Sequence, residues 1–344
     1  MLTVGKLPPD LLTKYVLSRV GVPDPDVIVG PTIGEDAAVI DLGGGRVLVA
    51  HVDPITGAVE SMGWLAVHIA CNDVAVRGVK PRWLLSVLYL PEGANPELVD
   101  RITSQIDEAA REVGAMVVGG HSEFTPGLSR PLISMTALGV AEKGRVVTTS
   151  GAREGDAVVM TKTVAVEGTA ILATDFGSVL RSKGVPDEIL ERGRQFLRRV
   201  SVVREALALA EAQLASSMHD PTEGGLLGGL AEVAYASRRT IEVWEERVPM
   251  AEETAIMTRA LGLDPLKLIS SGVLVATIPQ DRVGEALKIL EKLGVRATVI
   301  GRVTEFTGHY VVLHRRSGYV EKLEDFYVRD ELNTAWERWG DYLK

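Results

Sequence analysis

Two successive α/β domains are what this sequence predicts, and three observations carry the prediction. Strand-like and helix-like hydrophobic patterns alternate along most of the 344 residues, the pattern that layers helices against sheets. The alternation stops over residues 142–156, a stretch rich in Gly, Thr, Ser and charge, and restarts at 157–161; a boundary is expected there. The length suits roughly two domains, each able to bury its own core. The expected division is 1–150, 151–315 and a peripheral tail at 316–344 that is more charged and more aromatic than what precedes it.

Pro8 and Pro9 open a helical pattern in which Leu11, Leu12, Tyr15, Val16 and Val20 share a face, with Gly21 placed to end it. Residues 37–41 and 46–52 read as a hairpin turning at Gly43-Gly44-Gly45, its second strand running into the polar cluster His51-Val52-Asp53. Ser61 is placed to cap a helix reaching Val76, closed by Gly78 and Pro81. A strand follows at 83–90, then a helix from Asn95-Pro96 to Val113. Residues 115–118 read as a buried strand ending in a turn at Gly119-Gly120, and 131–140 as another strand. The second half supplies helices near 186–214 and after Thr222, with strands at 157–161, 216–219, 239–244, 273–278, 295–303 and 309–314. The tail reads as a peripheral helix.

Acidic residues, 46 against 37 basic, give a net charge of −9 and argue against nucleic acid as a partner. The single cysteine, Cys71, leaves no intrachain disulfide and no CxxC pair, as in a reducing compartment. No apolar run approaches the roughly 18 residues that cross a bilayer, and the start lacks a signal-peptide pattern. A soluble cytoplasmic protein without a membrane partner is expected, and the seven Asn and Gln residues suit a thermophilic source.

Polar residues gather at five junctions between elements: Gly34-Glu35-Asp36, His51-Val52-Asp53, Asn72-Asp73, Gly119 to Glu123, and His219-Asp220. Such junctions are where α/β folds place ligands. Asp and Asn are also ordinary cap and turn residues, so any one of them alone has that simpler reading. Asn72-Asp73 stands apart, because it lies inside the apolar helical run 64–76, where a carboxylate needs a cation or a donor. Carboxylates converging from separate elements suit Mg²⁺ carrying a nucleotide's phosphates. Neither a Walker A motif nor a GxGxxG after a strand is present, so ATP would need a different cradle.

These fragments carry a resemblance. GEDAAVI (34–40), HVDPITG (51–57), CNDVAVRGVKPRW (71–83), VVGGHSE (117–123), GDAVVMTK (155–162), HDPTEGGLLGGLAEVA (219–234), LGLDPLKLISSGVLVA (261–276) and IGRV (300–303), in that order, resemble the AIR synthase (PurM-like) superfamily. Its members include aminoimidazole ribonucleotide synthase, selenophosphate synthetase, thiamine-monophosphate kinase and HypE, the last being most similar through DPTEGGL and LGLDPL. The resemblance implies a PurM-like two-domain α/β (α+β) fold, whose N-terminal ATPase domain pairs its sheet in a homodimer. It also implies ATP held with Mg²⁺. Carried over by motif, Asp36, Asp53, Asp73 and Asp220 are the expected metal and phosphate-site carboxylates, with Asn72 in support. Lys162 either faces the phosphates or is a solvated lysine at a strand end. His121, Glu123 and Lys162 are the catalytic candidates. The shared chemistry is activation of a carbonyl, amide or phosphate oxygen by the γ-phosphoryl of ATP, on a small-molecule or protein-bound acceptor the sequence does not name.

Departures from the family pattern are as informative. HypE carries its substrate on a C-terminal cysteine, whereas this chain ends Trp339 to Lys344 without one. HypE reads GDTK where Gly120 to Glu123 stands here, and a glutamate after LDPL is replaced by Ser271. These changes argue against carbamoyl dehydration. Selenophosphate synthetase has a reactive Cys or selenocysteine before the position of Asp36, which Cys71, set in an apolar helix, does not replace. Four functional readings stay open: phosphoryl activation of an unknown acceptor, HypE-type hydrogenase maturation, a non-catalytic ATP-binding partner, and a metal-dependent hydrolase. The hydrolase would use His51/Asp53, His121/Glu123 and His219/Asp220, with GGHSE similar to the GNHE of metallophosphoesterases.

Overall fold

The computed structural model describes residues 5–340. They form two compact units, one of residues 25–30 and 36–146, the other of the remaining N-terminal residues to 24, residues 31–35, and everything from 147 onward. In chain order the first element, α1 (Pro9–Leu11), continues into a π-helical stretch, Leu12–Leu17. The apolar face expected there is only partly covered: Leu11 and Leu12 are half-buried, whereas Tyr15 and Val16 are both nearly half accessible. A π-helix advances fewer degrees per residue than an α-helix, so the 3.6-residue stripe is not preserved.

The smaller unit is a six-stranded sheet in the order β1-β2-β3-β6-β4-β5. Its strands are β1 (Val27–Val29), β2 (Ala38–Gly43), β3 (Arg46–Ile55), β4 (Trp83–Pro91), β5 (Met116–Thr125) and β6 (Leu132–Glu142). The β2–β3 hairpin turns through Gly43, Gly44 and Gly45, all at positive φ, where glycine carries no steric penalty. β3 then pairs antiparallel with β6 along its whole length, from Arg46↔Glu142 to Ile55↔Ile133.

Helix α2 (Met62–Ala75) is buried at every position, and α3 (Pro96–Val113) packs beside it, burying Ile102, Ile106, Ala109 and Ala110. Their backbones come close at Gly63, where a Cβ would stand 2.3 Å from the Ile102 carbonyl oxygen. Asn95 caps α3 as expected, its side chain accepting from the Leu98 amide. Ser61 makes no such bond. Gln105 of α3 does that work instead: its Oε1 accepts from the Gly63 N–H at 3.1 Å and its Nε2 donates to the Glu60 carbonyl at 2.7 Å.

One expected turn is absent. Gly119-Gly120 lies inside β5, which runs parallel to β4 with a register shift at Gly119. A Cβ on Gly120 would fall 1.9 Å from the Ser86 carbonyl oxygen, so glycine here permits strand contact at a bulge and does not reverse the chain.

The larger unit is a seven-stranded sheet ordered β13-β12-β9-β11-β7-β10-β8. It contains β7 (Ala157–Thr161), β8 (Ser217–His219), β9 (Thr240–Trp244), β10 (Val275–Ile278), β11 (Ala297–Thr304), β12 (Val311–His314) and β13 (Val320–Leu323). The helices are α4 (Val166–Asp175), α5 (Gly177–Ser182), α6 (Asp187–Arg194), α7 (Val203–Glu211), α8 (Gly225–Ser237), α9 (Glu252–Leu261), α10 (Val283–Lys292) and α11 (Glu331–Trp339). The residues beyond 315 contribute β13 to the sheet edge and then α11. Ala335 of α11 is buried, and Trp336 meets Phe176 edge-on at 4.9 Å. Among the described residues no helix is long and apolar enough to cross a membrane.

Candidate nucleotide and metal site

Along β3 the inward positions are Val47, Val49, His51 and Asp53; the first two are fully buried. The same face therefore turns from apolar to polar toward the end of the strand. Asn72 and Asp73, both buried, meet that end from the last turn of α2. His51 Nε2 lies 3.3 Å from Asp73 Oδ2. One donor atom each from His51, Asp53 and Asp73 falls within 4.8 Å of the others. The two carboxylates, Asp53 and Asp73, fit the magnesium that the motifs imply, whereas an imidazole is a ligand for softer divalent cations.

Asp36 has a partner that sequence reasoning missed. The Arg77 guanidinium, fully buried, donates to its Oδ2 at 2.7 Å. The signal was available: an arginine inside the apolar run 73–79 needs an anion within the fold. Glu35, one residue earlier, accepts from the Thr149 and Ser150 amides at 3.0 Å each, tying its own unit together.

His121 and Glu123 sit on β5, an edge strand with nine of ten residues exposed. They pair with each other at 3.2 Å, and Thr125 donates its hydroxyl to Glu123. The Thr125 bond first, and His121 second, hold the Glu123 carboxyl below the usual range. Within this unit they are not part of the His51 cluster.

Lys162 is neither solvated nor open to a phosphate. Its ammonium donates to the carbonyls of Arg199, Ser201 and Gly272 at 3.1, 2.5 and 2.9 Å, and lies 2.7 Å from Glu205. Burial pushes its pKa down while Glu205 pulls it back up. Four oxygens surround three protons, so the side chain clamps the end of β7 to the approach to α7 and to the turn at Gly272. The first turn of α4 is closed as well: the Glu167 and Gly168 amides donate to the carbonyls of Ser271 and Ile269. Ser271 Oγ is buried there and makes no hydrogen bond.

His219 ends β8 and Asp220 follows it, both buried. Glu232 of α8 meets His219 Nε2 at 2.8 Å. The turn that follows Asp220 needs its glycines: a Cβ on Gly225 would stand 2.7 Å from the carbonyl oxygens of both Leu266 and Leu268. The HDPTEGGL and LGLDPLKL segments are thus packing partners. Asp264 stabilises the second of these, accepting from the Leu266 amide and from Arg315 Nη2 at 2.6 Å, while Arg315 also reaches Glu321. Cys71, fully buried, has its thiol pushed well above the ordinary range by burial, as suits a core residue.

Two mixed α/β units, one ending a strand in an imidazole–carboxylate cluster and the other holding a buried carboxylate on a glycine turn, define a two-domain PurM-like protein. Residues 34–141 match the N-terminal domain of AIR synthase related proteins and residues 153–314 the C-terminal domain. The chain belongs to that family, on its HypE-like side.

A putative hydrogenase expression/formation protein of Methanocaldococcus jannaschii is 28% identical over 312 residues, covering 88% of this chain and 89% of the relative. The carbamoyl dehydratase HypE of Cupriavidus necator is 30% identical over 298 residues, 83% of this chain and 81% of that one. Among solved structures, hydrogenase maturation protein HypE in complex with ATP superposes with a TM-score of 0.70 at 26% identity, over 91% of this chain and 93% of that one.

Proposed function

We propose that this chain binds Mg-ATP and transfers the γ-phosphoryl group to a carbonyl, amide or phosphate oxygen of a small-molecule or protein-bound acceptor. The observation that carries the reading is the convergence of His51, Asp53 and Asp73 at the end of β3. The ATP complex of a HypE similar to nearly the whole chain supports it. Asp53 and Asp73 would hold the cation, with His51 beside Asp73 at 3.3 Å and Asn72 in support. Arg77 holds Asp36 in place, and Asp220 would supply a further carboxylate from its glycine-fixed turn. A bound magnesium ion neutralises charge on the phosphate oxygens. The acceptor oxygen forms the new O–P bond as the bond to the β-phosphate oxygen breaks and ADP leaves. Lys162, fully engaged elsewhere, takes no part.

A homodimer belongs to the same reading. β5 offers an open sheet edge carrying exposed Met116, Val118 and Phe124, a surface that a second copy would cover, together with His121 and Glu123. The second functional reading, HypE-type hydrogenase maturation, draws support from the names of the curated relatives. Glu123 and Ser271 in place of the Lys and Glu that HypE carries favour an acceptor other than a carbamoyl thioester.

Calorimetric titration with Mg-ATP, alongside ADP and phosphate release, tests the proposal. Asp73→Asn is expected to weaken Mg-ATP binding at least about tenfold, of the order of one lost charge-assisted ligand, while moving the ligand-free melting temperature little. Binding without turnover across candidate acceptors would turn the protein into a non-catalytic nucleotide-binding partner. Absence of nucleotide binding would overturn the reading and favour a metal-dependent hydrolase.

A further inference from the structure

The residues beyond 323 do more than cover the larger unit. Asp330, only 3% exposed, accepts from the Leu332 amide through Oδ1 at 2.6 Å and from the Gly224 amide through Oδ2 at 2.7 Å. One side chain thereby joins the start of α11 to the turn after Asp220. The tail's backbone lies directly on that turn, since a Cβ on Gly224 would stand 2.6 Å from the Val328 carbonyl oxygen. On the other side of Asp220, Glu232 holds His219 at 2.8 Å. Asp220 is thus pinned between two clamps, and the second is supplied by a segment about a hundred residues away in sequence.

We propose that Asp330 is a positioning residue for the candidate nucleotide site: its carboxylate straps the tail over the Gly224 turn and so sets the place of Asp220. The reading rests on the assignment of Asp220 to that site. Two features separate this strap from ordinary tail packing. The carboxylate is buried with both oxygens committed to backbone amides, one on the tail and one on the turn. The amide it holds on the turn is that of Gly224, at φ +84°, on one side of a tight turn whose other side, at Gly225, is closed by the carbonyls of Leu266 and Leu268. Releasing the carboxylate therefore frees one of the two sides that shape the turn.

The test uses the full chain and four variants, one of them Asp220→Asn as the reference for the nucleotide site. Asp330→Ala removes both oxygens, Asp330→Asn retains one acceptor, and Thr240→Val, which breaks the buried bonds of Thr240 Oγ1 to His309 and Thr307, serves as a stability control. Hydrogen exchange over residues 222–227 is measured with no nucleotide present, and Mg-ATP affinity by calorimetry. Asp330→Ala is expected to speed exchange in that segment and raise the Kd about tenfold, with Asp330→Asn between it and the parent protein. Thr240→Val should lower the melting temperature and leave the Kd within about twofold. If Asp330→Ala loosens the turn and Mg-ATP affinity stays put while Asp220→Asn weakens it, the positioning role is overturned and the nucleotide reading stands. If Asp220→Asn also leaves affinity unchanged, both fall.

Discussion

The guanidinium of Arg77 and the carboxylate of Asp36 form a 2.7 Å ion pair in which neither side chain is more than 6% exposed. A buried pair of this kind contributes little net stability compared with apolar packing, yet removing one member leaves the other charged in a poor solvent. The pair fixes the aspartate of the GEDAAVI segment in place, and it ties the approach to β2 to the residues just after α2.

Arg77→Met is therefore expected to destabilise the smaller unit by about 3–5 kcal/mol, the range for breaking a buried pair. Arg77→Met combined with Asp36→Asn should recover part of that loss, because no uncompensated charge remains. Thermal unfolding of the two variants and of Asp36→Asn closes the cycle. Equal losses in the single and double variants would show that Arg77 acts through packing alone.

Lys162→Met should behave as a structural lesion. It strips three carbonyls of their donor and leaves Glu205, 4% exposed, without its cation, so a loss of roughly 3–5 kcal/mol is expected. Mg-ATP affinity, measured well below the lowered melting temperature, should remain within about twofold. A tenfold loss of affinity would return Lys162 to the phosphate site.

Burial, against the pull of the Leu332, Gly224 and Ile269 amides and with a push from Glu223, raises the Asp330 carboxyl to about 7. The ordinary value in an unfolded chain is about 3.9. The native state then holds the proton more tightly, so this residue's contribution to stability is complete below about pH 4. It is lost as pH rises toward 7, with a slope of at most about 1.4 kcal/mol per pH unit. The melting temperature of the parent protein minus that of Asp330→Asn should fall across that window. A flat difference would place the carboxyl at its ordinary value.

Light scattering should give twice the chain mass of 37.0 kDa. Phe124→Asp or Val118→Asp, each placing a charge on the exposed edge strand β5, should shift the protein to monomer without lowering its melting temperature at low concentration. A parent protein that is monomeric at tens of micromolar would remove the dimer from the proposal.

Much of the architecture was legible in the sequence because it rests on local signals. The Gly43-Gly44-Gly45 hairpin, the Asn95 cap and the six strands expected in the second half appear where propensity and periodicity put them. What escaped the sequence depends on distant chain segments. Gly119-Gly120 has turn chemistry, but the Ser86 carbonyl makes it a strand bulge. The edge strands β1 and β13 bury no residue, so no core-facing pattern marks them, whereas the equally short β8, β10 and β12 each bury residues.

At the site, His51, Asp53 and Asp73 could be singled out because polar residues interrupt apolar patterns, and the structure brings those three together. Arg77, Glu205, Glu232 and Asp330 were missed because each is defined by its partner, and no local pattern reports a partner 13 or 106 residues away.

The crossing of Gly225 by the backbone of Leu266 and Leu268 bears on how kinship in this family is read. A glycine required by a passing carbonyl reports architecture, whatever reaction the cleft performs. Searches keyed on HDPTEGGL and LGLDPLK will therefore gather kinases, dehydratases and synthetases together. Glu123 and Ser271, where this chain departs from the HypE pattern, are positions that no such crossing dictates, and sorting relatives by those two residues is expected to divide them by chemistry.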